Sequence, residues 1–462
     1  MPRQPAAWLH ISAYRYLLRR IEGALLDEGV GVAGSGPRPY PAALVLGCVV
    51  TAVAVAGCAV LALLRPHAAL DREQIVVSRE SGALFVRVGD VWHPVLNLAS
   101  ARLIAATAAN PRPVTESDLD TTKRGPLLGI PGAPQFLGRP LSPEEVGWSI
   151  CASTGANTTT TVIVARRSEA PAVRQVPAAQ AMLVAPTSGS PAYLLYNGHR
   201  ATVDLDDAAV VRALRLEGRA PLRVSEALLN AVPEAPPIAS PPIRGPGGAT
   251  AKVPGFPVGS VLRITRADGD EYYAVLAAGV QRIGQVAADL LRFGNPRATA
   301  NPVSVAPEVI RAAPVVTELP VALYPDRAPT LAAPTGALCA SWEEARPGQV
   351  DVAFLAESRP PVPAGRAPVI LAQADGPGPA LDAVYVPPGR SAYVRAADTA
   401  GTSYLITDTG VRFAVHDDAA ARDLGLTQPG PAPWPLLTLL PAGPELSRQN
   451  ASIARDAVAG TP

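Results

Sequence analysis

The sequence predicts an α+β protein: a single N-terminal transmembrane helix, then an extracytoplasmic domain of four β-hairpin/helix repeats around a central, mainly β domain with pseudo-two-fold symmetry. Three observations carry that expectation. One run over residues 42–64 has no charge, a strand–glycine turn–strand–helix pattern recurs four times, and two cysteines sit in the same tripeptide 188 residues apart.

The N-terminal elements come first. Ala42 to Leu64 reads AALVLGCVVTAVAVAGCAVLALL, long enough as a helix to cross a hydrocarbon core that needs about 20 residues. It starts too far from Met1 for a secretory signal peptide, so an uncleaved anchor fits better. Arg3, Arg15, Arg19, Arg20 and Arg38 precede it, whereas the near far side offers Arg65 and Arg72, which places the N-terminus in the cytoplasm and residues 65–462 outside. Before the span, Ile11, Tyr14, Leu18, Ile21 and Leu25 recur at helical spacing beside Arg15, Arg19 and Arg20. Two readings of this 11–26 helix stand side by side: an interfacial helix held to anionic lipid, and a docking helix for a cytoplasmic partner. Two decoys lie nearby. Val55-Ala56-Gly57-Cys58 looks like a lipobox but comes too late in the chain, and the GxGxxG at Gly29–Gly34 leads into Pro37 and Pro39 where a helix would be needed.

The repeats follow. They are ALFVRVGDVWHPVLNLASARLI (83–104), AYLLYNGHRATVDLDDAAVVRAL (192–214), YYAVLAAGVQRIGQVAADLLRF (272–293) and SYLITDTGVRFAVHDDAAARDLGL (403–426). Each opens on apolar residues and turns at Gly89, Gly198, Gly279 or Gly410. Most resume with a β-branched residue five or six positions later, Val95, Val203 or Val415, and Asn97, Asp206 or Asp417 stands where a helix N-cap is useful. Between the repeats lie two core segments, each with a Cys-Ala-Ser tripeptide (Cys151, Cys339) and then a strand-like run, TVIVA (161–165) or DVAFLA (351–356). VAPTSGSPAYLL (184–195) and VYVPPGRSAYVR (384–395) extend the correspondence. The expected boundaries are a cytoplasmic segment 1–41, the membrane helix 42–64, a first repeat 75–120 and the first half of the central domain 121–190. A second repeat 191–235, a proline-rich linker 236–258 and a third repeat 259–305 follow. The second half of the central domain 306–400, a fourth repeat 401–446 and a tail 447–462 complete the chain.

Cys151 and Cys339 are the cysteines outside the span and occupy equivalent positions in an oxidising compartment, so a disulfide is expected. A free thiol or metal pair is the rival, but no CxxC or neighbouring histidine supports it. Cys48 and Cys58 read as small apolar residues of the span.

Composition bounds the function. With 40 Lys or Arg against 39 Asp or Glu the net charge is +1, not the basic excess of a nucleic-acid binder. Proline (51) and glycine (39) exclude a coiled coil, while 48% hydrophobic residues provide for a sizeable core. Lysine occurs only at Lys123 and Lys252, and neither lies in a GxxxxGK[ST] loop. HExxH and GxSxG are absent, and the five histidines, His10, His67, His93, His199 and His416, are scattered. The acidic groups Asp204, Asp206, Asp207 and Asp417, Asp418 read as helix caps and first-turn acids. No catalytic residue, cofactor or metal site is expected.

SGALFVRVGDVWHPVLNLASARLI (81–104), RGPLLGIPGAP (124–134) and the amphipathic ISAYRYLLRRIEGALL (11–26) before a single span resemble the EccB family, a core membrane component of the type VII (ESX) secretion system of actinobacteria. The resemblance implies an elongated outer domain of four repeats around a disulfide-bearing centre, associating with copies of itself. It implies a structural role in protein export, with the cytoplasmic motor EccC, with EccD and EccE, and with the mycosin protease as partners. It also implies the alternative of ATP hydrolysis on the outer domain, for which this sequence has no nucleotide motif. A cell-wall-binding module is a third reading, since paired repeats favour multivalent attachment.

Overall fold

The computed structural model describes residues 14–18, 21, 40–64, 73–154, 158–165, 175–267, 269–294, 301–333, 336–346, 349–396 and 401–455. The chain divides into two compact units, Met1–Ala69 and Leu70–Pro462.

In the first unit, residues 14–18 and 21 are helical and a 25-residue helix spans Tyr40–Leu64. Pro41 sits in its first turn, where its missing N–H is no loss, and Pro66 follows its end. Thr51 donates its hydroxyl to the Gly47 carbonyl at 2.8 Å, satisfying a polar group within an otherwise apolar helix. Leu44, Val45, Leu46, Val50 and Val53 are all exposed.

The second unit repeats one topology four times. The first copy is an antiparallel meander, Ile75–Ser78, Leu84–Val88 and Val91–Val95, followed by helix Leu98–Ala105. A short strand, Arg112–Val114, then returns parallel to the first strand, and helix Glu116–Asp120 follows. The second copy uses Gln180–Pro186, Ala192–Tyr196, His199–Val203, helix Ala208–Leu214, Leu222–Val224 and helix Glu226–Ala231. The third uses Val261–Arg266, Gly269–Leu276, Gly279–Ile283, helix Gln285–Gly294, Val303–Ser304 and helix Pro307–Ala312. The fourth uses Arg390–Ala396, Ser403–Ile406, Arg412–Val415, helix Asp418–Leu424, Gly430–Ala432 and helix Trp434–Leu439. In every sheet the strands lie in the order third, second, first, fourth.

The hairpin and helix of each copy fall where the sequence places them, but each sheet also recruits a strand before its hairpin. The second sheet starts at Gln180, not 191, and the fourth at Arg390, not 401. The stretches 184–195 and 384–395 are therefore not equivalent. The first runs from strand one into strand two of a repeat, while the second joins Ala383–Tyr385 of the central sheet to strand one of the fourth repeat. After its short helix, each copy lays an extended, proline-bearing segment along its third strand. The parallel bridges are Val95↔Leu128, Val203↔Ile238, Val280↔Val315 and Val415↔Leu446. Proline is tolerated there because an edge needs only alternate N–H groups. Residues 236–238, expected to open a linker, thus close the second repeat. The expected tail is also built in: helix Arg448–Ala451 follows Ser447, whose side chain accepts from Asn450 N–H, and Arg455 donates to the Leu127 carbonyl of the first repeat.

Six strands form the centre, in the order Gln349–Glu357, Ala337–Arg346, Trp148–Ser153, Thr160–Val164, Ala383–Tyr385, Val369–Ile370. The second and third of these strands are antiparallel with Cys151 opposite Cys339, so the two Cys-Ala-Ser tripeptides are related by a local two-fold. One sheet face, with Ile150, Ala152, Leu338 and Ala340, buries Leu228 and Leu229 of the second repeat and Leu436 and Leu437 of the fourth. The helices of repeats 1 and 4 share one core (Ala99, Leu103, Ala420, Leu424), and those of repeats 2 and 3 share another (Val210, Leu214, Val286, Leu290).

The hairpin glycines record this packing. Gly198 and Gly410 have φ of 75° and 82°, and an added Cβ would lie 2.5 Å from the Val352 carbonyl oxygen or 2.1 Å from Val384 Cγ1, both in the central sheet. Gly89, with φ 60°, faces open space. Gly198→Ala should therefore cost about 3 kcal/mol in denaturant unfolding, and Gly89→Ala only about 1 kcal/mol, because the second carries the left-handed backbone penalty without the clash. Equal costs would contradict this docking of repeat 2 on the central sheet.

Candidate assembly surfaces

The centre of the large unit is covalently closed. Adjacent antiparallel strands bring Cys151 and Cys339 opposite each other, and their sulfurs are bonded at 2.07 Å, both residues being fully buried. The rival free-thiol or metal-pair reading therefore drops out. Around the bridge, Ser149 Oγ donates to Ser341 Oγ at 3.0 Å, and Trp148 Nε1 donates to the Pro431 carbonyl of the fourth repeat at 3.1 Å. Asp382, 5% exposed, accepts from the backbone N–H groups of Thr160, Asp375 and Gly376, tying the start of strand Thr160–Val164 to the loop that precedes Ala383–Tyr385. The bridge leaves no free thiol at Cys151 or Cys339.

The N-terminal site residues lie on the other unit. Tyr14, Leu18 and Ile21 are 67%, 47% and 50% exposed, an uncovered apolar set beside Arg15. Ile11 and Leu25 lie outside the described residues. Cys48 and Cys58 are free and exposed on helix Tyr40–Leu64.

The polar candidates resolve into structural roles. Asn97 accepts from Ser100 N–H at 2.9 Å and donates to the Ile130 carbonyl at 2.8 Å; Asp417 accepts from Ala420 N–H at 2.7 Å. In the second repeat the cap is Asp207, accepting from Ala209 N–H, and not Asp206, whose own N–H is held by Asp204. His93 and His199 pair with backbone carbonyls of Pro126 and Asn197, and His416 meets Glu445 at 2.6 Å. Among the described residues no group of His, Cys, Asp and Glu is arranged to hold a metal ion.

The Glu445 carboxylate raises the His416 pKa above its ordinary value, through the hydrogen bond first and the charge second. A raised folded-state pKa means that the pair's stabilisation is fully present below pH 6.5 and is lost as pH rises through the folded value. Both groups are largely exposed, so the effect is small. Glu445→Gln should bring the His416 titration, followed by NMR, back toward about 6.5. An unchanged midpoint would refute the pairing.

Repeat 3 carries a cleft of about 860 Å³ between its third strand and the segment that follows its short helix. Its walls include Glu271, Arg282, Gly284, Val315, Thr317 and Arg327. Glu271 accepts from Arg266 at 2.9 Å and approaches Arg282 at 3.5 Å, and Arg266 holds its carboxyl below the usual range. Asp270 faces Arg263 at 3.6 Å. Arg263, Arg266 and Arg282 are thus each answered by a carboxylate. Nearby, burial pushes the Tyr196 phenol up to about 12 while its hydroxyl donates to the Leu323 carbonyl at 2.7 Å, fastening repeat 2 to the chain beyond repeat 3. No sequence signal marked this cleft.

Known proteins resemble this chain along nearly its whole length. The family model described as "Type VII secretion system ESX-1, transport TM domain B" matches residues 3–460. The ESX-3 secretion system ATPase EccB3 of Mycolicibacterium smegmatis is 35% identical over 477 residues, covering 98% of this chain and 91% of the relative. The ESX-2 secretion system ATPase EccB2 of Mycobacterium tuberculosis is 35% identical over 482 residues, covering 97% and 94%. Among solved structures, a chain of the intact ESX-5 inner membrane complex superposes with a TM-score of 0.73 at 31% identity, covering 100% of this chain and 98% of that one. A chain of the EccB3 dimer from the ESX-3 core complex gives 0.71 at 33% identity, covering 83% and 100%.

Proposed function

The chain belongs to the EccB family of type VII secretion, and from that premise we propose that it is the scaffold joining the cytoplasmic motor of an ESX inner membrane complex to its periplasmic assembly. The observation that carries this is the whole-length match to a chain of the intact ESX-5 complex. In this reading Tyr40–Leu64 is the single membrane crossing. A charge-free helix of 25 residues is about 37 Å long, enough for a core of about 30 Å with some tilt. The arginines before it orient the N-terminus to the cytoplasm, and the disulfide suits an oxidising exterior for residues 65–462. Tyr14, Leu18 and Ile21 then face the cytoplasmic side, as a dock for EccC, EccD or EccE or as a lipid contact. The outer unit associates with copies of itself and with the mycosin protease.

Purification of the tagged full chain from detergent should bring down motor and channel subunits in fixed ratio; recovery of the chain alone would defeat the scaffold reading. The relatives are named ATPases, which favours a second reading, an outer domain that hydrolyses ATP. That reading requires turnover by the purified chain that a point substitution abolishes. The absence of a P-loop weighs against it.

A further inference from the structure

The four copies of one topology serve as controls for each other, and one of them breaks the pattern. In repeat 1, Leu128 donates its N–H to the Pro94 carbonyl at 2.9 Å and accepts from Leu96 N–H at 3.1 Å. In repeat 4, Leu446 makes the same two bonds, to the Ala414 carbonyl at 2.8 Å and from His416 N–H at 3.1 Å. In repeat 2, Ile238 donates to the Thr202 carbonyl at 3.0 Å. Each of these aliphatic residues lies beside the end of a third strand, in parallel register, and closes the sheet edge with the chain's own backbone.

Repeat 3 begins in the same way. Val280 donates to the Pro314 carbonyl at 2.8 Å and accepts from Val316 N–H at 2.9 Å. The position corresponding to Leu128, Ile238 and Leu446 is then Leu319, three residues beyond Val316. Its N–H does not reach the Arg282 carbonyl. The buried Gln281 side chain intercepts it instead: Oε1 accepts from both Glu318 and Leu319 N–H at 2.7 Å, and Nε2 donates to the Leu319 carbonyl at 3.0 Å. Because Val280 faces the edge, alternation turns the Arg282 carbonyl to the same side, and Gly284 N–H follows it. Neither finds a hydrogen-bond partner among the described residues, and both residues line the 860 Å³ cleft.

We propose that the unpaired end of this edge is a strand-addition site for an extended segment of a partner polypeptide, running parallel to Arg282–Gly284 beyond the Val280 position that Pro314 and Val316 already occupy, with an aliphatic residue between Arg282 and Gly284. An unpaired edge is a ready template for another chain, and backbone pairing supplies affinity while pockets for alternate side chains supply selectivity. The guest residue donates to the Arg282 carbonyl and accepts from Gly284 N–H, the pair of bonds that Leu128 and Leu446 make in their own repeats. Val315, Val321 and Ala322 give it an apolar wall. The proposal does not rest on the scaffold reading, since it follows from comparing the repeats with one another.

The test uses the full chain in detergent and a fluorescent peptide of residues 441–448, the segment that closes repeat 4. Saturable binding is expected by anisotropy, and N-methylation at the peptide's leucine should weaken it about tenfold by removing the donor to Arg282. Thr317→Trp, at an exposed cleft position, should abolish binding while leaving the melting temperature unchanged. Hydrogen exchange should show Gly284 N–H unprotected in the free chain and slowed at least tenfold by saturating peptide. Failure to bind at about 1 mM, equal binding of the N-methylated peptide, unaltered binding by Thr317→Trp, or an unchanged Gly284 amide would each overturn the proposal.

Discussion

Cys339→Ser should lower the melting temperature of the full chain by roughly 6 °C under oxidising conditions. The bridge closes a loop of 188 residues, worth about 5 kcal/mol in the chain-entropy account of disulfide stabilisation. Spread over the unfolding entropy of a unit as large as Leu70–Pro462, at about 2.1 cal/mol/K per residue, that energy converts to the stated shift. The effect acts mainly on the unfolded chain, because the central strands keep their ladder: Ile150↔Ala340 and Ala152↔Leu338 flank the bridge, and Leu355 and Tyr385 pack beside it. The folded variant should therefore retain its near-ultraviolet circular dichroism at 25 °C. Reductant should bring the wild type down to the variant's melting temperature and leave the variant where it is. Equal melting of the two proteins without reductant would mean that the bridge contributes nothing.

Replacing Leu18 and Ile21 together by Asp should reduce recovery of motor and channel subunits by roughly a hundredfold or more. The two side chains are 47% and 50% exposed, so the chain itself gains little from them. Burying two such aliphatics in a partner is worth about 3–6 kcal/mol, and two carboxylates in their place would have to be desolvated. Melting of the large unit should not change. Loss of vesicle binding with normal co-purification would favour the lipid-contact reading of this helix, and normal behaviour in both measurements would remove it from any interface.

Much of this architecture is legible locally. Alternating apolar residues on either side of Gly89, Gly198 and Gly410 specify hairpins, since a turn with φ above zero forces reversal and period two fixes the buried face; in repeat 3 the reversal falls at Ala277 and Ala278, and Gly279 opens the returning strand opposite Leu276. Asn97 and Asp417 identify their helix starts because capping depends on residues only two or three positions apart. The same rule missed by one position in the second repeat, where adjacent acids Asp206 and Asp207 compete and the backbone selects Asp207. The disulfide was legible because the two cysteines are embedded in duplicated sequence.

Other features have no local signature. Gln180–Pro186 and Arg390–Ala396 read as parts of the core segments, yet each completes a repeat sheet through pairing with a strand from a later segment. The prolines at 233, 236, 237, 441 and 444 read as loop punctuation, although the segments that carry them run along sheet edges. Nothing in the repeats says that Leu98–Ala105 should pack on Asp418–Leu424 and Ala208–Leu214 on Gln285–Gly294.

The sequence by itself determined the charge-free helix, the hairpin-plus-helix unit and its fourfold use, and the cysteine pair, because each depends on periodicity or on a few neighbouring residues. The tertiary structure decided which strands complete each sheet, which repeats share a core and which edge stays open. Those outcomes depend on register between segments tens to hundreds of residues apart. At Gln281 one side chain captures the backbone of residues 318 and 319, and the edge that Leu128 and Leu446 close in repeats 1 and 4 stays unpaired at Arg282 and Gly284 in repeat 3.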